Sequence, residues 1–221
     1  MTMTMAALSP LMSATPAGAW RGLAALAAIL APTRRRRSET RRASADGAAP
    51  SPEQRRRFEA EALPHLDGAY SFARYLCRED QAAEDIVHEA YVRALRHYDG
   101  FRGDDIKPWL FAIVRNCFLS WARTRGRDPE AEAAEADEPT DLETPETLLI
   151  RGEEAAALRA LIAALPVHYR EVLLLREIEQ LSYREIAAAI DAPTGTVMSR
   201  LARARTLLAA AWRARQSGEA A

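Results

Sequence analysis

Apolar residues in this chain recur every three to four positions. No convincing every-other-residue alternation appears, so the pattern predicts an all-α protein. Pro52 stands where a helix can begin, and Arg55–Leu63 leads into the first ordered helices. Leu66, Ala69, Tyr70, Ala73 and Cys77 keep helical spacing, which predicts an amphipathic helix over His65–Arg78. Glu79-Asp80 ends it, with Asp80 placed to cap the next helix. There Val87, Ala90, Tyr91, Ala94 and Leu95 form one apolar stripe, and Asp85, His88, Glu89, Arg93 and Arg96 the opposite face. Spacing alone reads that polar face as solvated and steadied by i,i+4 pairs such as Glu89–Arg93. Tyr98–Asp105 reads as a loop that exposes Phe101, and Lys107-Pro108 opens a long helix. Its buried stripe is Leu110, Ile113, Val114, Cys117, Phe118 and Trp121.

Later in the chain Leu158, Leu161, Ile162 and Leu165 mark a helix, Pro166 a restart, and Val167–Glu177 a second helix. Ser182–Leu208 then reads as two helices joined by a tight turn. Ser182 with Glu185 three positions on has capping-box spacing, and Tyr183, Ile186, Ala187 and Ile190 make one stripe. Asp191–Gly195 should break the helix, Pro193 by lacking an N–H and Gly195 by permitting unusual φ. In the helix that follows, Val197, Leu201, Ala204 and Leu208 face inward. Thr196, Ser199, Arg200 and Arg203 are left outward near its start. Short donors and arginines at the front of a second helix are what major-groove reading by a helix-turn-helix requires. A surface helix pair with solvated arginines would show the same spacing.

Charge sharpens this picture. The sum over 221 residues is only −1, unusual for a free-standing nucleic-acid binder, but its distribution is uneven. Lys107, the only lysine, forms an acid-free run with Arg115, Arg123, Arg125 and Arg127; Arg200, Arg203, Arg205, Arg213 and Arg215 form another. Between them Asp128–Glu146 carries nine acids, no base and three prolines, the composition of a flexible, self-repelling linker. On the long helix, Arg115, Asn116, Ser120 and Arg123 fall opposite the apolar stripe, with Trp109 at the boundary and Phe101 just upstream. Such a face suits single-stranded nucleic acid, since bases stack on aromatics for about 1–3 kcal/mol each while arginines hold phosphates. Trp109 and Phe101 would be equally well used as core.

The pattern also excludes classes of function. Four scattered histidines and two distant cysteines make neither a metal cluster nor a nucleophile–base pair, so no catalytic residue, metal or cofactor is expected. Gly22–Ala31 is apolar but too short to span a bilayer, and it has only Arg21 before it and Arg34–Arg37 after it, whereas a signal peptide carries its charge first. The expected organisation is a disordered basic extension over 1–52, a helical domain over 53–127, the acidic linker over 128–150 and a second helical domain over 151–215.

Four stretches together resemble the extracytoplasmic-function (ECF) sigma factors of bacterial RNA polymerase: AEDIVHEAYVRALRHYDGFR, PWLFAIVRNCFLSWAR, LPVHYREVLLLREIEQLSYREIA and GTVMSRLARAR. The resemblance covers roughly Phe58–Arg127 and Glu153–Trp212, and implies that the first domain is sigma region two and the last region four. It implies that Asp85, His88, Glu89 and Arg93 dock on core polymerase, against the solvated reading. His88 stands where the family more often has Gln. Phe101 and Asn116 match positions that capture flipped minus-ten bases. Lys107, Arg115 and Arg123 would hold the melted strand, and Trp109 matches a recurrent tryptophan. Thr196, Ser199, Arg200 and Arg203 match the helix read against the minus-thirty-five element, with Met198 where Lys is frequent. The implied partners are core polymerase, promoter DNA and an anti-sigma factor, in the cytoplasm, with no small-molecule substrate and no stable membrane insertion. The rival readings are a helix-turn-helix regulator without polymerase docking, which would need an upstream regulatory domain, an enzyme, and an interaction protein that binds an anti-sigma partner without transcribing.

Overall fold

The computed structural model describes residues 50–126 and 151–217, with the side chains of 151–153 left aside. The N-terminal extension before residue 50 and the acidic linker lie outside the described residues. Among these, eight α-helices and two 3-10 turns are present and no strand. No described helix is long and apolar enough to cross a membrane.

The first half is a bundle. Helix α1 (Pro52–Ala62) starts with a capping box in which Ser51 and Gln54 exchange side-chain-to-backbone hydrogen bonds of 3.1 and 3.2 Å. A 3-10 turn (Leu63–His65) leads to α2 (Leu66–Cys77), which stops because Arg78 takes a left-handed conformation, φ 61°. Helix α3 (Asp80–His97) buries the expected Val87, Ala90, Tyr91, Ala94 and Leu95. Glu79, not Asp80, is its N-cap residue, and Asp80 binds the guanidinium of Arg74 on α2. The expected cap is thus replaced by a tie between helices, in a first turn that favours an acid in any case. A 3-10 turn (Tyr98–Gly100) then leads to α4 (Ile106–Thr124), capped by Asp105. The buried side of α4 is Leu110, Phe111, Val114, Cys117, Phe118 and Ala122, whereas Ile113 and Trp121 are only partly covered. The shift has a cause: α4 is contacted by α2, α3 and a later helix at once, and Phe111 meets Phe72 of α2 at 5.5 Å.

The second half comprises α5 (Arg151–Ala164), α6 (Val167–Glu177), α7 (Tyr183–Ile190) and α8 (Thr194–Gln216). The Ser182–Glu185 capping box is present, at 2.6 and 3.3 Å. The turn between α7 and α8 is shorter than expected. Asp191 carries the positive φ of 52°, Pro193 is the N-cap, and Gly195 already lies inside α8, where no special φ is used. Asp can adopt the left-handed region because its short polar side chain tolerates it, so the glycine is not required there.

The halves share one continuous core: α7 packs against α4, and α6 against α2. Helix α6 is therefore covered on nearly every side, burying Val172, Leu173, Leu174 and Leu175 together with Arg170 and Glu171.

Cys77 and Cys117 are both free and buried. Burial pushes the Cys77 thiol up to about 11 and raises that of Cys117, leaving little thiolate near neutrality. A thiol reagent at pH 8 is expected to label the native protein slowly at both positions and promptly in guanidinium chloride. Fast native labelling would contradict this packing.

Candidate nucleic-acid and polymerase interface

The front of α8 presents a mixed face. Val197, Leu201, Ala204 and Leu208 are buried, while Ser199 and Arg203 are exposed and Met198 is 54% exposed. Thr196 and Arg200 are half-buried, which departs from the expected outward set. The Ser199 hydroxyl donates to the Thr196 carbonyl at 3.0 Å, and Arg200 Nη1 lies 3.3 Å from Glu171 Oε1 on α6. Farther along, Arg205 donates to Glu177 Oε1 at 3.0 and 2.5 Å, pinning α8 to α6.

On the first half, the loop before α4 carries an aromatic cluster. Phe101 is half-buried rather than exposed: its ring sits 5.1 Å from Trp109 and 6.4 Å, stacked, from Tyr98. Gly103 is held against that ring, where a Cβ would come within 2.9 Å, so the loop curls back over α4. Asn116 is exposed on the next turns of α4. Arg123 is exposed too, its Nε donating to Leu119 O at 3.1 Å. Lys107 and Arg115 are turned elsewhere. Lys107 Nζ donates to the Glu179 carbonyl at 2.7 Å and pairs with its carboxylate at 3.0 Å. Beside it, burial and then the charge of Lys107 hold the His65 imidazole below its ordinary range. Arg115 Nε lies 2.6 Å from Glu171 Oε2.

The third candidate face runs along α3. Asp85 and Arg93 are exposed and His88 and Glu89 half-buried, with Glu89 and Arg93 paired at 2.6 Å as the i,i+4 spacing suggested.

The structure thus brings Arg115 and Arg200, from stretches expected to read different DNA elements, onto one carboxylate. It leaves Asn116, Arg123, Ser199 and Arg203 accessible, and Asp85, His88, Glu89 and Arg93 in line along α3. Sequence reasoning missed Glu171 and Glu179. The available signal was Arg170-Glu171 embedded in the apolar run of Val167–Leu175, since charges within a helix apolar all round must be buried and paired.

Residues 63–128 match the family described as Sigma-70 region 2, and residues 155–208 match Sigma-70, region 4. The chain belongs to the sigma-70 family. Its relatives place it in the ECF class. It is 39% identical over 135 residues to the RNA polymerase sigma-H factor of Pseudomonas aeruginosa, covering 57% of this chain and 70% of that one. It is 37% identical over 131 residues to the ECF RNA polymerase sigma-E factor of Escherichia coli K12, covering 55% and 69%. Among solved structures it resembles the sigma factor RpoE from Bartonella quintana in complex with the anti-sigma factor NepR. That likeness has a TM-score of 0.59 and 28% identity, covering 72% of this chain and 98% of that one.

An ECF sigma factor is a transcription initiation factor of RNA polymerase, not an enzyme. The region-two match lies where a helix-turn-helix regulator would carry its regulatory domain, which removes that rival. Within the region-four match, Arg205 supports the Glu177 carboxylate, whose side chain is 4% exposed. Arg205→Ala is expected to lower stability by about 1–3 kcal/mol by leaving a buried acceptor unsatisfied. Denaturant unfolding checks this; an unchanged midpoint would rule out the support.

Proposed function

We propose that this sigma factor works as a two-site promoter reader, with region two over 53–127 and region four over 151–215. Thr196, Ser199, Arg200 and Arg203 read the minus-thirty-five element as duplex. Phe101 and Asn116 capture unpaired minus-ten bases, Trp109 backs the Phe101 ring, and Lys107, Arg115 and Arg123 hold the strand. Asp85, His88, Glu89 and Arg93 dock on core polymerase in the cytoplasm. The observation carrying this reading is that an aromatic cluster beside an exposed amide and a basic helix end occurs in one half, and a helix-turn-helix with polar front residues in the other.

The energetics fit. A chain of net charge −1 gains little from phosphate neutralisation alone. Polymerase fixes the separation of two weak modules and turns them into one bivalent reader. RpoE of Bartonella quintana was solved with an anti-sigma factor, which supports a partner of the same kind here.

Run-off transcription with bacterial core polymerase on fragmented DNA of the source genome tests the reading. Discrete new transcripts that depend on the protein are expected. Asp85→Arg is expected to abolish co-purification with core enzyme by reversing charge on the α3 face while leaving the helical spectrum intact. Arg203→Ala should cut transcription from a dependent promoter about tenfold, the loss of roughly one good contact, with core binding retained. Wild-type behaviour of either variant would remove that residue from its role.

A further inference from the structure

The front of α8 has a side that neither the core nor the proposed DNA contacts use. Leu63 and Met198 are the exposed large apolar side chains among the described residues, and Met198 is the more exposed at 54%. Each helical residue turns about 100°. With Ser199 outermost, opposite the buried Val197 and Leu201, Met198 and Arg200 therefore lie about 100° to either side of it. Thr196 and Arg203 fall between Ser199 and Arg200, so that side is lined with donors. Gly195 and Ala202, both exposed, fall between Ser199 and Met198, so the other side offers no side-chain donor.

The fold accounts for neither Met198 nor Gly195. A Cβ on Gly195 would meet nothing within 4 Å, and the backbone there is ordinary helix, so alanine would fit and would hold the helix better. A glycine that the fold does not need leaves the backbone open to something outside it. Met198, one turn on, stands at the edge of that gap with a flexible, polarisable thioether suited to an irregular hollow. One methionine between two small residues is far less than the roughly 800 Å² a side that a protein partner takes. It does match a single methyl group.

In the major groove of unmodified DNA, thymine alone presents an apolar group, its C5-methyl; the other base edges present donors and acceptors. We infer that Met198 reads a thymine methyl in the minus-thirty-five element, with Gly195 and Ala202 letting the pyrimidine edge approach the helix. This rests on the reading of duplex DNA by α8 proposed above and adds the apolar half of its specificity. Arg203 takes the acceptors of one base pair and Met198 the methyl of another. Burying one methyl against the thioether strengthens binding about fourfold.

The test uses the full chain with core polymerase and a dependent promoter found by run-off transcription. Each thymine of the minus-thirty-five element, on either strand, is replaced singly by deoxyuridine, which removes the methyl and keeps every hydrogen-bonding group. Promoter affinity is read by fluorescence anisotropy at fixed salt. Wild type should lose about fourfold at one of these positions, and Met198→Ala should bind the thymine and deoxyuridine promoters equally. Gly195→Ala should unfold at the same or higher denaturant concentration as wild type, yet bind the promoter more weakly because its Cβ obstructs the approach. Both positions are exposed, so neither variant removes packing, and circular dichroism checks their folding. No loss at any position, or equal losses in wild type and Met198→Ala, would overturn the inference, as would an element without an A·T pair. A scrambled minus-thirty-five element bound as tightly as the native one would sink the proposed role of α8, and this inference with it.

Discussion

A buried carboxylate between two guanidiniums is the constraint on which the described structure turns. Isolated, Glu171 at 2% exposure would cost several kcal/mol to desolvate, so it persists only where partners converge. Those partners come from α4 and α8, which fixes α6 between the two halves. Once α6 is central, its other features follow. Val172 to Leu175 must be apolar all round because each turn faces protein, and Arg170 must find acceptors, which the C-terminal end of α2 supplies. Helix ends, normally left to water, become the sockets by which one half holds the other.

This arrangement bears on how a nearly neutral chain serves a DNA-directed process. The basic residues of α4 and α8 are numerous, yet those nearest the junction are already neutralised by acids of region four. Asn116, Arg123, Ser199 and Arg203 remain exposed, the first two on α4 and the last two on α8. A sparse polar set of this kind binds weakly by itself, and a partner that fixes the spacing of two weak modules turns them into one bivalent reader. A net charge of −1 limits the phosphate neutralisation on which non-specific DNA binding depends.

Much of the architecture was legible because helical period reports burial directly. Val197, Leu201, Ala204 and Leu208 are buried as their spacing required, and the Ser182–Glu185 box forms as written. The turn was less legible, since Asp191 as well as Gly195 can supply a left-handed residue, and only the chain path decides between them. Phe101 was read as exposed because its loop is polar, but Gly103 and Trp109 fold the ring back. Glu171 and Glu179 were hidden for a deeper reason. Period tells that a residue meets something; it does not tell which distant helix, and their partners lie 56 and 72 positions away.

The use of ions at this junction is itself informative. A buried ion pair seldom stabilises more than a well-packed apolar contact of equal volume, and replacing one by hydrophobic residues is often neutral or favourable. A junction built only for stability would therefore extend the apolar surface of Leu175 and Ile186 across the boundary. Leucine, however, has no counterpart in nucleic acid for which it can be exchanged. A guanidinium released from a carboxylate meets on a phosphate the same charge and the same bidentate geometry, so much of the cost of leaving is recovered on arrival. The ionic tie at Glu171 therefore gives up some cohesion for contacts that a competing anion can exchange, which an apolar seam could not offer.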